Sequence, residues 1–298
     1  MLLCGCAHQK GQGQKYLNVD LTPNQEERLR RLQARLEAVF DSARLDHQET
    51  LRALWYAAFP ESDLEGLVSD QWKIMGWQGN DPSTDFRGGG FISLENLLFF
   101  ARKFPRTFQQ LLSKEGGRRS TWEYPFAVAG VNITFMLIQM LDLRADKPRS
   151  WMGCSFLKVL AEEEAAFDLL YCVAFKVMDT LWLAMHASYM EFNVVMKATR
   201  AQLEQELTMD SIGRIEDMPS YTLLREDFAH KNWQKASLSA YLKMKFEQSV
   251  WHACSMTKES GIVLVVGTYF HILTEQVILD KYNFSRTLDF PPLQNQVQ

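Results

Sequence analysis

What the chain lacks narrows its reading first. Its five cysteines stand at 4, 6, 154, 172 and 254 with no CxxC pair, so neither a disulfide scaffold nor a cysteine zinc site is suggested. A reducing, intracellular setting fits that usage better. There is no excess of positive charge, since 32 Lys+Arg face 36 Asp+Glu for a net charge of −4. A general nucleic-acid coat is disfavoured, because phosphates would go unneutralised. The six histidines, at 8, 47, 186, 230, 252 and 271, include no pair at metal-ligand spacing and no HExxH. No GxSxG nucleophile elbow occurs. No GxxxxGK[ST] occurs either, and Gly88-Gly-Gly90 does not follow a strand in a βαβ unit. No metal, cofactor or nucleotide of the chain's own is therefore expected.

Long apolar runs are also missing. Phe126 to Leu141 carries Asn132, Thr134 and Gln139 and falls short of the roughly 20 residues a bilayer requires. Gly261 to Leu273 is shorter still. The first reads as a buried core helix and the second as a buried segment, so no transmembrane span is expected. Met1 to Cys6 has no basic region, which argues against a signal peptide, and Leu2 stands where myristoylation needs glycine. Cys4 and Cys6 are candidates for acylation, although two thiols on a frayed tail is the plainer reading.

What is present is enough to fold. With 298 residues, 47% of them hydrophobic and 23% charged, the chain can bury a real core, and disorder as its main state is excluded. The hydrophobic spacing is dominated by period 3.6. Leu29, Leu32, Leu36, Val39 and Phe40 share a helical face behind a Thr22-Pro23 start. Leu51, Leu54, Trp55, Ala58 and Phe59 form a second stripe stopped by Pro60, and Asp63 to Trp77 reads as a helix ending in glycine. Ser93 is the expected cap of the next helix, which Pro105 interrupts. Glu115 to Arg119 is a charged link, after which Pro125 opens the apolar helix, and Asp142 to Trp151 is another link. Glu162-Glu-Glu164 reads as a helix start, where carboxylates suit the dipole. A stripe from Phe167 to Met185 follows, and Ser188-Tyr-Met-Glu191 supplies a capping box for a helix to Leu207. Asp217-Met-Pro-Ser220 should end the regular part; Trp233 to Trp251 suggests one more helix, and Ile262 to Val266 a lone strand. The expected class is all-α, a compact multi-helix domain.

The segment that stands apart is Trp72-Lys-Ile-Met-Gly-Trp-Gln-Gly-Asn-Asp-Pro-Ser-Thr-Asp-Phe-Arg-Gly88. Glycine and proline exclude a helix interior across residues 76–90, so this is a long loop carrying Arg87. Asp81 and Asp85 are placed to orient the guanidinium, and Gln78 can both donate and accept hydrogen bonds. Such an arginine either staples its own loop or enters a partner's active site and neutralises charge developing on a γ-phosphate.

Together with Leu54-Trp55, Phe59-Pro60, Gly66-Leu-Val-Ser69, Phe91 to Phe100, Tyr171 to Phe175 and Tyr189 to Asn193, this segment closely resembles the ELMO (engulfment and cell motility) domain family. The similarity covers about residues 48–207 and is nearest in wording to short plant-type members. The resemblance implies an all-helical domain. It also implies a GTPase-activating protein for an Arf/Arl-class small GTPase, with Arg87 matching the arginine implicated in activity. Gln78, Asp81 and Asp85 then become positioning residues, while Trp72, Trp77 and Phe86 pack the loop. Expected boundaries are a flexible tail at 1–20, an amphipathic helix at 21–47, the ELMO domain at 48–207 and an extension at 208–298. Expected location is cytoplasmic, with peripheral contact on endomembranes. The alternative is a non-catalytic adaptor, as long members resemble scaffolds for DOCK-type exchange factors acting on Rac.

Overall fold

Thr22 and Gln25 trade hydrogen bonds across the first turn of helix α1 (Pro23–Glu37), at 3.3 and 3.0 Å, with proline in the first helical turn. This computed structural model describes residues 20–114 and 123–225. Leu29, Leu32 and Leu36 are buried as their spacing predicts, but the helix stops at Glu37. Val39 and Phe40 continue the period in sequence and not in space: Ala38 is extended, and Val39 is 77% exposed. The helix expected over 21–47 is thus shorter, and its last three residues already belong to α2 (Leu45–Ala58). In α2, Leu51, Leu54, Trp55 and Ala58 face inward.

The helix expected from Asp63 to Trp77 shrinks to one 3-10 segment, Asp70–Met75. Side chains take the hydrogen bonds a helical ladder would need. Gln71 Oε1 accepts from the Glu65 N–H at 2.8 Å while its Nε2 donates to the Asp63 carbonyl at 2.9 Å. Gly76, left-handed at φ 89°, then ends the segment.

Helix α3 (Phe91–Lys103) is capped by Gly90 and not by Ser93, which lies inside the first turn, fully buried. Helix α4 (Pro105–Leu112) follows the proline break, and α5 (Phe126–Met140) is the buried apolar helix anticipated. Helix α6 (Trp151–Glu162) is additional to the helices expected from spacing; Ser150 caps it, and Phe156, Leu157, Val159 and Leu160 are buried. Glu162 therefore closes a helix instead of opening one. Side chains of α1 supply donors missing there: Arg28 and Asn24 donate to the carbonyls of Leu160 and Ala161, and Gln25 adds a longer contact to Leu157.

Helix α7 (Ala166–Ala184) is buried on nearly every side and packs against α3, α5 and α8 (Phe192–Leu207). Ser188 and Glu191 form the expected capping box before α8. Regular structure does not end at residues 217–220. Short 3-10 turns at Ile215–Asp217 and Pro219–Leu224 fold back on α7, and Glu206 of α8 accepts from the Ser220 N–H at 2.9 Å. Among the described residues there is no strand, so the domain is all-α, and no helix is long and apolar enough to cross a membrane. The readings for Cys4, Cys6, the Glu115–Arg119 link and residues 226–298 lie outside the described residues.

One polar network crosses this apolar interior. Asp168 in α7, 5% exposed, accepts from Arg35 Nη1 and Nη2 at 3.0 and 2.7 Å and from Asn96 Nδ2 at 2.9 Å. Arg35 Nε also reaches Glu95 at 3.1 Å, and Thr134 Oγ1 donates to Asn96. Burial works against the Arg35 charge, yet the Asp168 hydrogen bonds and the charges of Asp168 and Glu95 outweigh it and raise its pKa. Arg35→Ala would leave Asp168 buried without its cation. The expected cost is about 3 kcal/mol, measured as a lower denaturation midpoint at unchanged m-value.

Candidate functional site

The loop from Gly76 to Gly90 is anchored by hydrophobic side chains that point inward. Trp77 and Phe86 are each 3% exposed and meet edge to face with ring centroids 5.2 Å apart. Trp77 also packs on Trp72, which meets Trp55 of α2 at 5.3 Å and donates its Nε1–H to the Gly66 carbonyl at 3.2 Å. Phe86 stacks on Phe40 at 4.8 Å, and Phe40 in turn neighbours His47 and Phe91. The residues that fell off the end of α1 thus cover the far side of the loop. Two backbone bonds fix its exit: Gly90 N–H donates to the Phe86 carbonyl at 2.7 Å, and Phe91 N–H to the Ala38 carbonyl at 2.8 Å.

Polar groups hold the loop backbone from within. Asp81 Oδ1 accepts from the Ser83 N–H at 2.9 Å and caps the 3-10 turn Pro82–Asp85. Asp85 Oδ2 accepts from the Gln78 N–H at 3.0 Å, across the mouth of the loop. Burial pushes the Asp85 carboxyl above the usual aspartate range, against the Gln78 hydrogen bond and the nearby Arg87 charge, which pull it down; Asp81 pushes it further up. Neither aspartate forms an ion pair with Arg87. The expected orientation of the guanidinium by Asp81 and Asp85 is replaced by orientation of the loop that carries it. Gln78 takes part through its backbone, and its side chain is exposed.

Arg87 itself is exposed, and among the described residues it makes no hydrogen bond or ion pair. It borders a groove of about 690 Å³ shared with Leu36, Val39, Phe40, Phe86, Leu143 and Arg144. The sequence marks Val39 and Phe40 only as part of a helical stripe and gives Arg144 no signal at all. The first two fitted the helical period of α1, and Arg144 sat in an undistinguished link. Among the described residues, no three His, Cys, Asp or Glu side chains come together to hold a metal ion.

Two outcomes check this account of the loop. At Gly76 an added Cβ would lie 2.5 Å from the Phe126 nitrogen, and φ is +89°, whereas at Gly66 the nearest atom is 3.6 Å away. Gly76→Ala should therefore cost about 2 kcal/mol or more, and Gly66→Ala less than about 0.5 kcal/mol, by denaturant unfolding. Asp85→Asn keeps an acceptor for Gln78 and removes a partly buried charge. Because the folded chain holds the Asp85 proton more tightly than the unfolded chain, the charge penalises stability above the raised pKa. The penalty disappears as pH falls below the ordinary aspartate value. Unfolding midpoints should show the variant at least as stable as wild type at neutral pH, with that advantage lost in acid.

The relatives agree in kind. Residues 30–196 match the model of the ELMO/CED-12 family. ELMO domain-containing protein C of Dictyostelium discoideum is 30% identical over 194 residues, covering 62% of this chain and 30% of that protein. ELMO domain-containing protein 2 of Mus musculus is 33% identical over 156 residues, covering 52% and 51%. ELMO domain-containing protein 1 of Mus musculus is 31% identical over 184 residues, covering 56% and 55%. The matched part spans about half the length of the mouse relatives and less of the Dictyostelium protein. With the family model covering more than half the chain, and an all-helical fold built around the Trp72–Gly90 segment, this protein belongs to the ELMO/CED-12 family.

Proposed function

We propose that the chain is a GTPase-activating protein for a small GTPase of the Arf/Arl class, to which it lends Arg87 in trans. The observation that carries the reading is the contrast between Arg87 and everything around it. Asp81, Asp85, Trp77 and Phe86 are all engaged in holding the loop, while the guanidinium projects from it, exposed and without a partner among the described residues. Holding the backbone while leaving the cation free reduces what an arginine must lose in freedom when it enters another active site. Family membership supports a GTPase-regulating role in the coarser sense, and the Arf/Arl class comes from the resemblance to short family members.

The chemistry asked of Arg87 is electrostatic. As the bond to the γ-phosphoryl group breaks, negative charge spreads over its oxygens, and a planar, permanently charged guanidinium stabilises that charge more than the ground state. Such an arginine contributes roughly 10³ to 10⁵ in rate. The ammonium of lysine cannot make the same two-pronged contact. The groove beside Arg87 offers room for a segment of the partner that would bring the phosphate within reach.

In a panel of GTP-loaded Arf- and Arl-class GTPases, substoichiometric chain should accelerate hydrolysis by at least one member. Arg87→Ala should lower that acceleration by about 10³ or more. Arg87→Lys should not restore it, and neither change should alter thermal unfolding, because the side chain is exposed. Undiminished acceleration by Arg87→Ala would overturn the proposal. A stable complex indifferent to Arg87, with no effect on turnover, would instead select an adaptor of the Rac/DOCK kind.

A further inference from the structure

We infer that Arg144 is a positioning residue for Arg87, acting through the carbonyl of Gly88; this rests on the reading of Arg87 as the group lent to the GTPase. Arg144 comes from the link between α5 and α6, outside the loop, and borders the same groove as Arg87. Its Nη2 donates to the Gly88 carbonyl at 3.4 Å. Glu37 and Asp146 border the groove too, yet among the described residues Arg144 forms no ion pair with either. Its one described hydrogen bond is the tether to Gly88.

The three glycines after Arg87 differ in what holds them. At Gly89 an added Cβ would fall 1.9 Å from Ser93 Oγ, so this residue is wedged against α3. Gly90 has φ +71° and lies against the Ala38 carbonyl, 3.0 Å from where its Cβ would be. Gly88 is exposed, and its nearest neighbour at the Cβ position is Phe135 Cδ2 at 3.9 Å. Packing therefore fixes Phe86 on one side and Gly89 on the other, leaving the backbone of Arg87 and Gly88 as a short span between two anchors. A glycine in such a span has a wide choice of dihedral angles. Arg144 narrows that choice from the direction of the groove. The bond is long and solvent-accessible, so its effect is modest by nature. It sets the orientation of Arg87 and does not contribute to the affinity of the partner.

The test uses the full chain and whichever GTPase responds most strongly to it. Under single-turnover conditions, Arg144→Ala should lower the limiting rate about three- to tenfold while the half-saturating concentration stays within about twofold of wild type. Arg144→Lys, which keeps a donor, should recover most of the rate. In the free chain, amide hydrogen exchange at residues 86–90 should quicken in Arg144→Ala at an unchanged melting temperature. A wild-type limiting rate in Arg144→Ala overturns the inference while leaving Arg87 in place. A raised half-saturating concentration at an unchanged limiting rate also overturns it, making Arg144 a docking residue. If wild type accelerates no GTPase, the Arg87 reading fails on its own account and the exchange measurement still judges the tether: unchanged exchange at 86–90 overturns it.

Discussion

The bidentate contact between Arg35 and Asp168 is the constraint on which the arrangement of this domain depends. Asp168 sits near the start of the most deeply buried helix, where a carboxylate cannot be left without donors. Its donors come from two other helices, Arg35 of α1 and Asn96 of α3. A directional contact of this kind admits few alternatives, whereas the surrounding leucines and phenylalanines would tolerate several packings. It holds the last turn of α1 against α7. Two residues after Arg35 the helix stops, and the Ala38 carbonyl is delivered to the Phe91 N–H. Phe40 then falls on Phe86. The charge pair thus holds the helix from whose end Ala38 and Phe40 reach the Arg87 loop, without touching the loop itself.

Within that frame the loop separates two tasks. Its aromatic residues run inward as a chain of ring contacts from Trp55 through Trp72 and Trp77 to Phe86 and Phe40, and burial of those rings anchors the backbone. Its aspartates satisfy backbone amides that a helix or strand would otherwise have satisfied. Charge complementarity within the loop is left incomplete, since Arg87 has neighbours of opposite sign but no ion pair.

Much of the architecture was legible from spacing alone. Helices α1, α2, α7 and α8 follow stripes of period 3.6, α5 follows a short apolar run, and the capping residues Thr22 and Ser188 mark the starts before α1 and α8. The misreadings have local physical causes. Asp63 to Trp77 has helical periodicity, but Gln71 and Ser69 capture the backbone groups the helix needed. Ser93 has a capping residue's chemistry, yet Gly90 can take the positive φ that the chain requires one turn earlier. Val39 and Phe40 keep the helical period after the helix has ended, because the groove and the loop need apolar surface at that point. The loop sequence announced Arg87 and its neighbours, since glycine and proline exclude helix there. It could not announce that the aspartates serve the backbone, or that Arg144 approaches from 56 residues away. Both facts depend on how distant segments meet.

The stitching of α1 to α6 has a consequence for what counts as the smallest intact piece of this fold. Likeness to the family begins at residue 30, in the middle of α1. The donors that complete the C-terminal turn of α6 stand earlier, at Asn24 and Arg28, and the cap that starts their helix is Thr22. Cutting at the limit of family likeness would discard those donors and leave carbonyls of α6 bare, along with the first turns of the helix that delivers Arg35. The physically indivisible body starts at Thr22, eight residues ahead of the point where ancestry becomes visible.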